Sequence, residues 1–454
     1  MFDQKIDFKL GFTPNKKHEY VVGFQQQHGK KANPIYCVTE TLNPFFSKAK
    51  YWQWSNWDKQ TIYFLSKTTV ANKNYLKTRL FYDNFYNLLR TFDDDTYSTQ
   101  NKPSSFNSYY NDNSLVMAIE FNSWTLKNNK LNFSVQFKQD KHSEYNEKEP
   151  MRSFVDNTYT LAIEDVWNIS EKIFLIPGFS VSRKDNLLAQ DYKKNTNKIV
   201  DFESKKMYYA YNYQYQINSL SFSMSHKTRF ATLKDRYSYR AGKSLANPFL
   251  KPEKSNNFDL IYSFELSKFN VKTSAFYSYL TDVIILVDNA VENKSQTQNF
   301  GKAQFYSFDL DINYQITQNI IIEANYSFIE RKNLSNLTVL FTDVPKHNVY
   351  TALEYNFYKN LTFFANFQYS SDRYSTSYGT IAKTFWLINS RINFNFAKYF
   401  SINAEINNIF DIDYQLVEGY PMQGRNFFAN IRVKLQKNLL NKDECQLDKI
   451  SSIA

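Results

Sequence analysis

No stretch of 18 or more apolar residues occurs anywhere in the 454-residue chain, which excludes a helical membrane span. Cysteine is nearly absent. Cys37 and Cys445 stand far apart without metal-ligand spacing, and both read as incidental. The five histidines, at 18, 28, 142, 226 and 347, never fall at i, i+3 or i, i+4 with a third partner nearby, so they read as turn and loop residues and no metal site is expected. No G-x-S-x-G elbow is present, no catalytic residue stands out, and neither enzymatic activity nor a cofactor is expected. The net charge of +11 is spread over strands and turns, without a basic run or a recognition helix, so nucleic acid is not an expected partner. Only 9 glycines and 10 prolines occur, and none of the chain is glycine-rich.

What is abundant is aromatic: 35 Tyr and 41 Phe, which a soluble protein would have to hide. Period-two alternation shows where they go. Tyr306, Phe308, Leu310, Ile312 and Tyr314 alternate with Ser307, Asp309, Asp311 and Asn313. Phe258 to Leu266, Ile320 to Phe328 and Phe427 to Leu435 repeat the pattern. A charged side chain facing lipid at the midplane costs roughly 2–4 kcal/mol, so the charged face must meet water or other polar groups, while the uncharged face suits lipid. Acidic and basic groups on that wet face are expected to pair across strands. The fold class is therefore all-β, a transmembrane antiparallel up-and-down β-barrel in the outer membrane of a Gram-negative cell, with outer-membrane lipid as a partner.

Strands come in pairs joined by short turns at Pro14 to Lys17, Asn72 to Asn74, Asn128 with Asn129, Ile217 with Asn218, Thr317 to Asn319, Tyr358 to Asn360 and Ala397 to Tyr399. Long connections, such as 28–59, 84–112, 228–255 and 283–302, separate the pairs. Short turns are expected at the periplasmic side and long loops outside. Counting back from the last strand gives about nineteen, including strands near 60–69, 74–83 and 113–126. Residues 1–436 form the barrel, and 437–454 are a polar tail expected to be disordered.

Two blocks of sequence resemble a known family. Asn407-Asn408-Ile409-Phe410-Asp411, Tyr414 and Gly424-Arg425 before an alternating strand resemble the closing hairpin of TonB-dependent outer-membrane receptors, with their N-L-F-D-x-x-Y and G-R. Asn247-Pro248-Phe249-Leu250-Lys251-Pro252-Glu253-Lys254-Ser255 resembles the family's N-P-x-L-x-P-E-x-S. A third block, Asn299, Gly301 and Ala303, is similar to N-x-G-x-A, with Ser307 and Asp309 where Gly and Glu are usual. Tyr51-Trp52-Gln53-Trp54 with Trp57-Asp58 resembles an extracellular-loop segment of siderophore-type members. The family's barrels have 22 strands and carry a plug. Against that pattern the chain is expected to be N-terminally truncated, starting at Met1-Phe2-Asp3-Gln4 without secretory signal, plug or TonB box, and to be inactive alone. What the resemblance implies is a monomeric receptor for TonB-energised uptake of a metal chelate such as a ferric siderophore, haem or cobalamin, engaging the TonB complex only through the missing plug.

For ligand contact the best segment is 28–59, where Tyr36, Phe45, Phe46, Tyr51, Trp52, Trp54 and Trp57 accompany Lys48, Lys50 and Lys59. Aromatic rings and cations together can hold an anionic chelate. The alternative for Tyr51 and Trp57 is an aromatic girdle at the membrane interface, and Trp57 is expected to matter more for anchoring than for affinity. Arg229, Lys234, Arg236, Tyr237, Tyr239 and Arg240 in 228–255 carry a similar signal with a similar alternative. Two rival functions are a porin-like passive channel, which would lack the N-P-x-L-x-P-E and N-I-F-D blocks, and a soluble all-β binding protein, which would not keep charge-free faces on so many strands.

Overall fold

The computed structural model describes residues 2–37, 50–71, 73–171, 173–203, 207–218, 220–238, 244–291, 294–397 and 400–433. Among them the long strands follow one another as a meander: Phe2–Asn15, His18–Ala32, Trp52–Ala71, Asn74–Thr91, Asn107–Ser123, Asn129–Asn146, Arg152–Asn168, Gly178–Lys193, Met207–Asn218, Ser221–Arg229, Glu253–Leu266, Phe269–Thr281, Lys302–Thr317, Ile320–Asn333, His347–Tyr358, Leu361–Ser370, Phe385–Ala397, Phe400–Asn407 and Asn426–Val433. Each pairs antiparallel with the next. This is the expected up-and-down β-barrel fold.

One face of this sheet carries apolar and aromatic side chains that stay exposed, among them Ile62, Leu80, Ile119, Val135, Leu161, Tyr211, Leu260 and Phe308. The opposite face is polar. The register shows the division: Asp83, opposite Thr61, accepts its hydroxyl, while the neighbouring pair Ile62–Tyr82 faces the other way. The outward face therefore suits lipid and the inner face suits a wet lumen. Toward the long-loop end the outward positions turn polar. Asn84 donates to Asn113 at 2.8 Å and Gln139 to Asn157 at 3.0 Å, marking the upper limit of the apolar belt.

Several strands run further past that limit than the alternation predicts: 60–69 becomes Trp52–Ala71, 74–83 becomes Asn74–Thr91, and 113–126 starts at Asn107. Beyond lipid neither face has to be apolar, so Asn107-Ser108-Tyr109-Tyr110-Asn111-Asp112 continues the ladder with no hydrophobic period to announce it. Two further elements lie within long connections. A five-residue helix, Leu233–Tyr237, begins with a capping box between Thr232 and Asp235. A hairpin, Ile284–Val291 with Lys294–Asn299, takes Ser244–Leu245 as a parallel third strand. The buried apolar clusters sit under these connections: Phe154, Ala189 and Tyr237 in one, Ala231, Leu250 and Ile284 in a second, and Leu280, Val283 and Ala303 in a third.

Candidate functional site

The aromatic segment after residue 50 is strand rather than loop. Two irregularities set its geometry, one between Gly29 and Lys31 and one between Trp54 and Asn56. A bulge shifts side-chain phase by one residue. As a result Trp52, Trp54 and Trp57 lie opposite Thr91, Leu89 and Asn87, which share one face of their strand. All three indoles therefore face the same way, and Trp57 meets Phe85 edge-on at 4.8 Å and Trp54 at 6.1 Å. This face continues through Asn87 to Tyr110 and Glu144, the inner wall. The girdle alternative for Trp57 does not match this placement, because Trp57 keeps the phase of Lys59 and Thr61 on the lumen side, and the bulge turns Trp52 and Trp54 to that same side.

Cations complete the cluster. The Lys31 ammonium stands 3.0 Å from the Trp57 ring centroid and 5.2 Å from that of Trp54, and the Lys50 ammonium 5.3 Å from that of Trp52. Tyr51 packs edge-on against Tyr97 at 6.1 Å, and its carbonyl accepts from Phe92 N at 2.9 Å. The rings are half-buried, so each keeps a face open. Lys31 is absent from the sequence-based candidates. Its signal is cross-strand: it lies opposite Trp54 only because of the irregularity at Gly29–Lys31. Phe45, Phe46 and Lys48 lie outside the described residues.

The 229–253 connection behaves differently. Arg229 donates to Glu253 and Asp235 at 3.2 Å each, tying the strand end to the helix and to the N-P-x-L-x-P-E block. Arg236 is 1% exposed and donates to Asp156, itself 1% exposed, which also accepts the Lys184 ammonium at 2.9 Å. Lys184 donates in turn to Ala231 O at 3.0 Å. Tyr237 stacks on Phe154 at 4.9 Å and accepts from Asn186 at 2.8 Å. Burial turns Arg236 and Tyr237 into anchors that fasten this connection to the inner wall, and leaves them no surface for a ligand. Tyr239 and Arg240 lie outside the described residues.

The family-like blocks prove to be joints. Asn247 donates to Thr297 O at 2.9 Å, Pro248 O accepts from Tyr208 at 3.3 Å, and Glu253 accepts from Ile284 N at 2.8 Å. Pro252, which has no N–H to offer, stands immediately before the strand that opens at Glu253. The second and third blocks meet at Asn299, which accepts from Lys251 N at 2.7 Å and donates to Lys251 O at 2.9 Å.

In the closing hairpin Asn408, at φ 52, accepts from Ile412 N at 2.8 Å and donates to Ile412 O at 2.9 Å. Asp411 caps Arg425 N at 2.7 Å, and a Cβ on Gly424 would stand 2.7 Å from that carboxylate. Phe410 packs on Trp386 at 5.5 Å and Tyr414 on Phe385 at 4.7 Å. Tyr36 docks here rather than in the tryptophan cluster. It meets the Tyr420 ring at 5.7 Å and covers Gly419, whose φ of +80 and missing side chain both serve the contact. Its phenol pKa is raised, first by burial and then by Glu418 and Tyr420.

Among the described residues no three His, Cys, Asp or Glu side chains converge in a way that could hold a metal ion. The inner wall can instead offer aromatic faces and ammonium groups to a bound anion.

Residues 12–409 match the family model described as TonB dependent receptor-like, beta-barrel. An uncharacterized TonB-dependent receptor from Haemophilus influenzae is 30% identical over 118 residues, 25% of this chain and 34% of that protein. The match thus spans about a third of that relative's length. Among solved structures, the copper transporter OprC superposes with a TM-score of 0.79 at 16% identity, covering 95% of this chain and 72% of its own. The ferric-catecholate import receptor Fiu from E. coli K12, in its closed form, gives 0.70 at 10%, covering 95% and 74%. The FrpB iron transporter from Neisseria meningitidis gives 0.73 at 13%, covering 95% and 71%. At such identities the likeness establishes the fold.

Proposed function

We propose, from the premise that this chain belongs to the TonB-dependent receptor-like β-barrel family, that it serves in the Gram-negative outer membrane as a receptor for TonB-energised import of an anionic metal chelate of the siderophore class. The family is one of receptors and transporters rather than enzymes. The observation that carries the substrate class is the inner-wall cluster in which Lys31 stands over Trp54 and Trp57 and Lys50 beside Trp52. An anion leaving water needs positive charge, and a planar-ringed chelate gains about 0.5–1.5 kcal/mol per aromatic pair beyond area burial. Lys50, Tyr51, Trp52, Trp54 and Trp57, joined by Lys31, are the residues we assign to recognition, while Arg229, Arg236 and Tyr237 hold the neighbouring connection in place.

Titration of the refolded chain with a ferric catecholate, followed by tryptophan emission, tests this reading. Saturable quenching is expected, and replacing Lys50, Trp52 and Trp54 together with alanine should weaken binding at least tenfold, about 1.4 kcal/mol. Unchanged affinity in the triple variant removes the cluster from recognition, and quenching that never saturates favours a passive channel.

A further inference from the structure

The outward faces of four successive strands, Glu253–Leu266, Phe269–Thr281, Lys302–Thr317 and Ile320–Asn333, are uncharged until they reach their loop ends. There the charge is of one dominant sign. Lys254 lies opposite Thr281, Thr281 opposite Lys302, and Gln304 opposite Lys332, so three lysines on alternate positions share the outward face with the exposed rings of Phe258, Tyr277 and Phe308. Directly beneath, the Lys332 ammonium stands 5.8 Å from the Tyr306 ring and the Lys346 ammonium 5.7 Å from that of Phe328. Glu330 is the one acidic side chain on these outward positions, and it is paired with Lys346. Lys254, Lys302 and Lys332 form no ion pair among the described residues.

We propose that this patch binds a phosphate-bearing anionic lipid of the outer leaflet, with the headgroup phosphates on Lys254, Lys302 and Lys332 and the acyl chains along the aromatic belt below. Charge complementarity selects the headgroup. Direct continuity with an uncharged aromatic face selects a lipid over a free anion, because a soluble phosphate would gain nothing from the rings. The patch lies on the outer wall, on the opposite face of the sheet from the tryptophan cluster, so it stands independently of any imported chelate.

The test uses the full chain in neutral detergent micelles, titrated with diphosphorylated lipid A, with phosphatidylcholine and with inorganic phosphate, the retained lipid being counted by native mass spectrometry. Lipid A should be retained in preference to phosphatidylcholine, and inorganic phosphate at equal concentration should not displace it. The K254Q/K302Q/K332Q variant should bind about a hundredfold more weakly, each lysine contributing about fivefold at a membrane surface. K5Q/K9Q/K272Q removes the same net charge from the inner face of the wall and should bind as the parent does. Equal retention of the two lipids, equal losses in the two variants, or displacement by inorganic phosphate would each overturn the proposal. Heat-modifiable gel mobility identifies any variant that has not folded, and the single K332Q change, expected to cost about fivefold, then replaces the triple.

Discussion

Replacing Asp156 with asparagine should loosen the 229–253 connection more than replacing either of its cationic partners. Asp156 is the only anion in a buried trio with Arg236 and Lys184, and the side chains of all three are at most 8% exposed. Asp156→Asn leaves two buried cations facing each other without a counter-charge, the situation in which breaking a buried pair costs about 3–5 kcal/mol. Arg236→Met leaves Asp156 bonded to Lys184 and costs closer to the roughly 1.5–3 kcal/mol of a charged hydrogen bond. Lys184→Met leaves the Arg236 pair and the Ala231 carbonyl without its donor. The readout is local. The Asn247 amide, bonded to Arg236 O at 2.7 Å, exchanges only when the connection lifts from the wall. Its protection should fall by two orders of magnitude or more in Asp156→Asn, at 1.4 kcal/mol per tenfold, and by a smaller factor, roughly ten- to a hundredfold, in Arg236→Met. Removing one of the two cations with Asp156→Asn/Lys184→Met returns the trio to its native net charge of +1 and relieves the repulsion between them, so it should recover part of the loss. If Asp156→Asn and Arg236→Met cost the same, or the double variant is worse than Asp156→Asn alone, uncompensated buried charge is not what governs this anchor.

Lys31→Met should shift tryptophan emission and weaken chelate binding several-fold, since a cation over an indole is worth about 0.5–2 kcal/mol; unchanged emission would show that the ammonium does not rest on Trp57. Asn408→Ala should cost about 1–3 kcal/mol in urea unfolding of the micelle-bound protein, combining a left-handed backbone with two lost hydrogen bonds to Ile412; a smaller loss in Asn408→Gly would separate the backbone part from the hydrogen-bonding part. Asp93, in the connection after Thr91, has its carboxyl held well below the usual range by the Ser105 hydroxyl, by the Asn101 and Lys102 amides at 2.7 and 2.9 Å and by Thr99. A depressed carboxylate stabilises above its unfolded pKa, so residues 92–106 should resist pepsin near pH 4 and lose that resistance as the pH falls further. Asp93→Asn should abolish the pH dependence.

How much of this was legible in the residues depends on where lipid imposes its pattern. Between Phe258 and Leu266, or Tyr306 and Tyr314, every second side chain must suit hydrocarbon, and the alternation locates strand, face and turn without further help. Above the belt that requirement lapses, so the ladder through Asn107–Asp112 and the outer half of Trp52–Ala71 carry no period and read as loop. The bulge at Trp54–Asn56 is less visible still, because a one-residue slip leaves composition unchanged while moving Trp52 and Trp54 from the lipid side to the lumen side. The helix Leu233–Tyr237 was missed although Thr232 and Asp235 spell a capping box, since five residues are too few for helical periodicity to show.

The residues that made the family legible are not those that would choose a ligand. Asn247, Glu253, Asn299, Asn408 and Asp411 all spend polar groups on the backbone of a neighbouring turn or strand, and the missing side chain of Gly424 leaves room for the Asp411 carboxylate. Such joints tolerate few replacements, because the left-handed turn at Asn408 and the capped amide of Arg425 each admit few side chains. They recur as a pattern for that reason, whatever the lumen carries. Recognition needs the opposite property, side chains with a free face. Trp57 keeps its own by the ordinary alternation of its strand, Trp52 and Trp54 keep theirs because the bulge aims them away from both lipid and joint, and Lys31 reaches the cluster only across the sheet. A chelate specificity written in such cross-strand pairs follows the register of one bulged strand against its two neighbours, so a one-residue deletion at Ser55 should exchange the faces of Trp52 and Trp54 and abolish binding while every joint, and the barrel with them, stays intact.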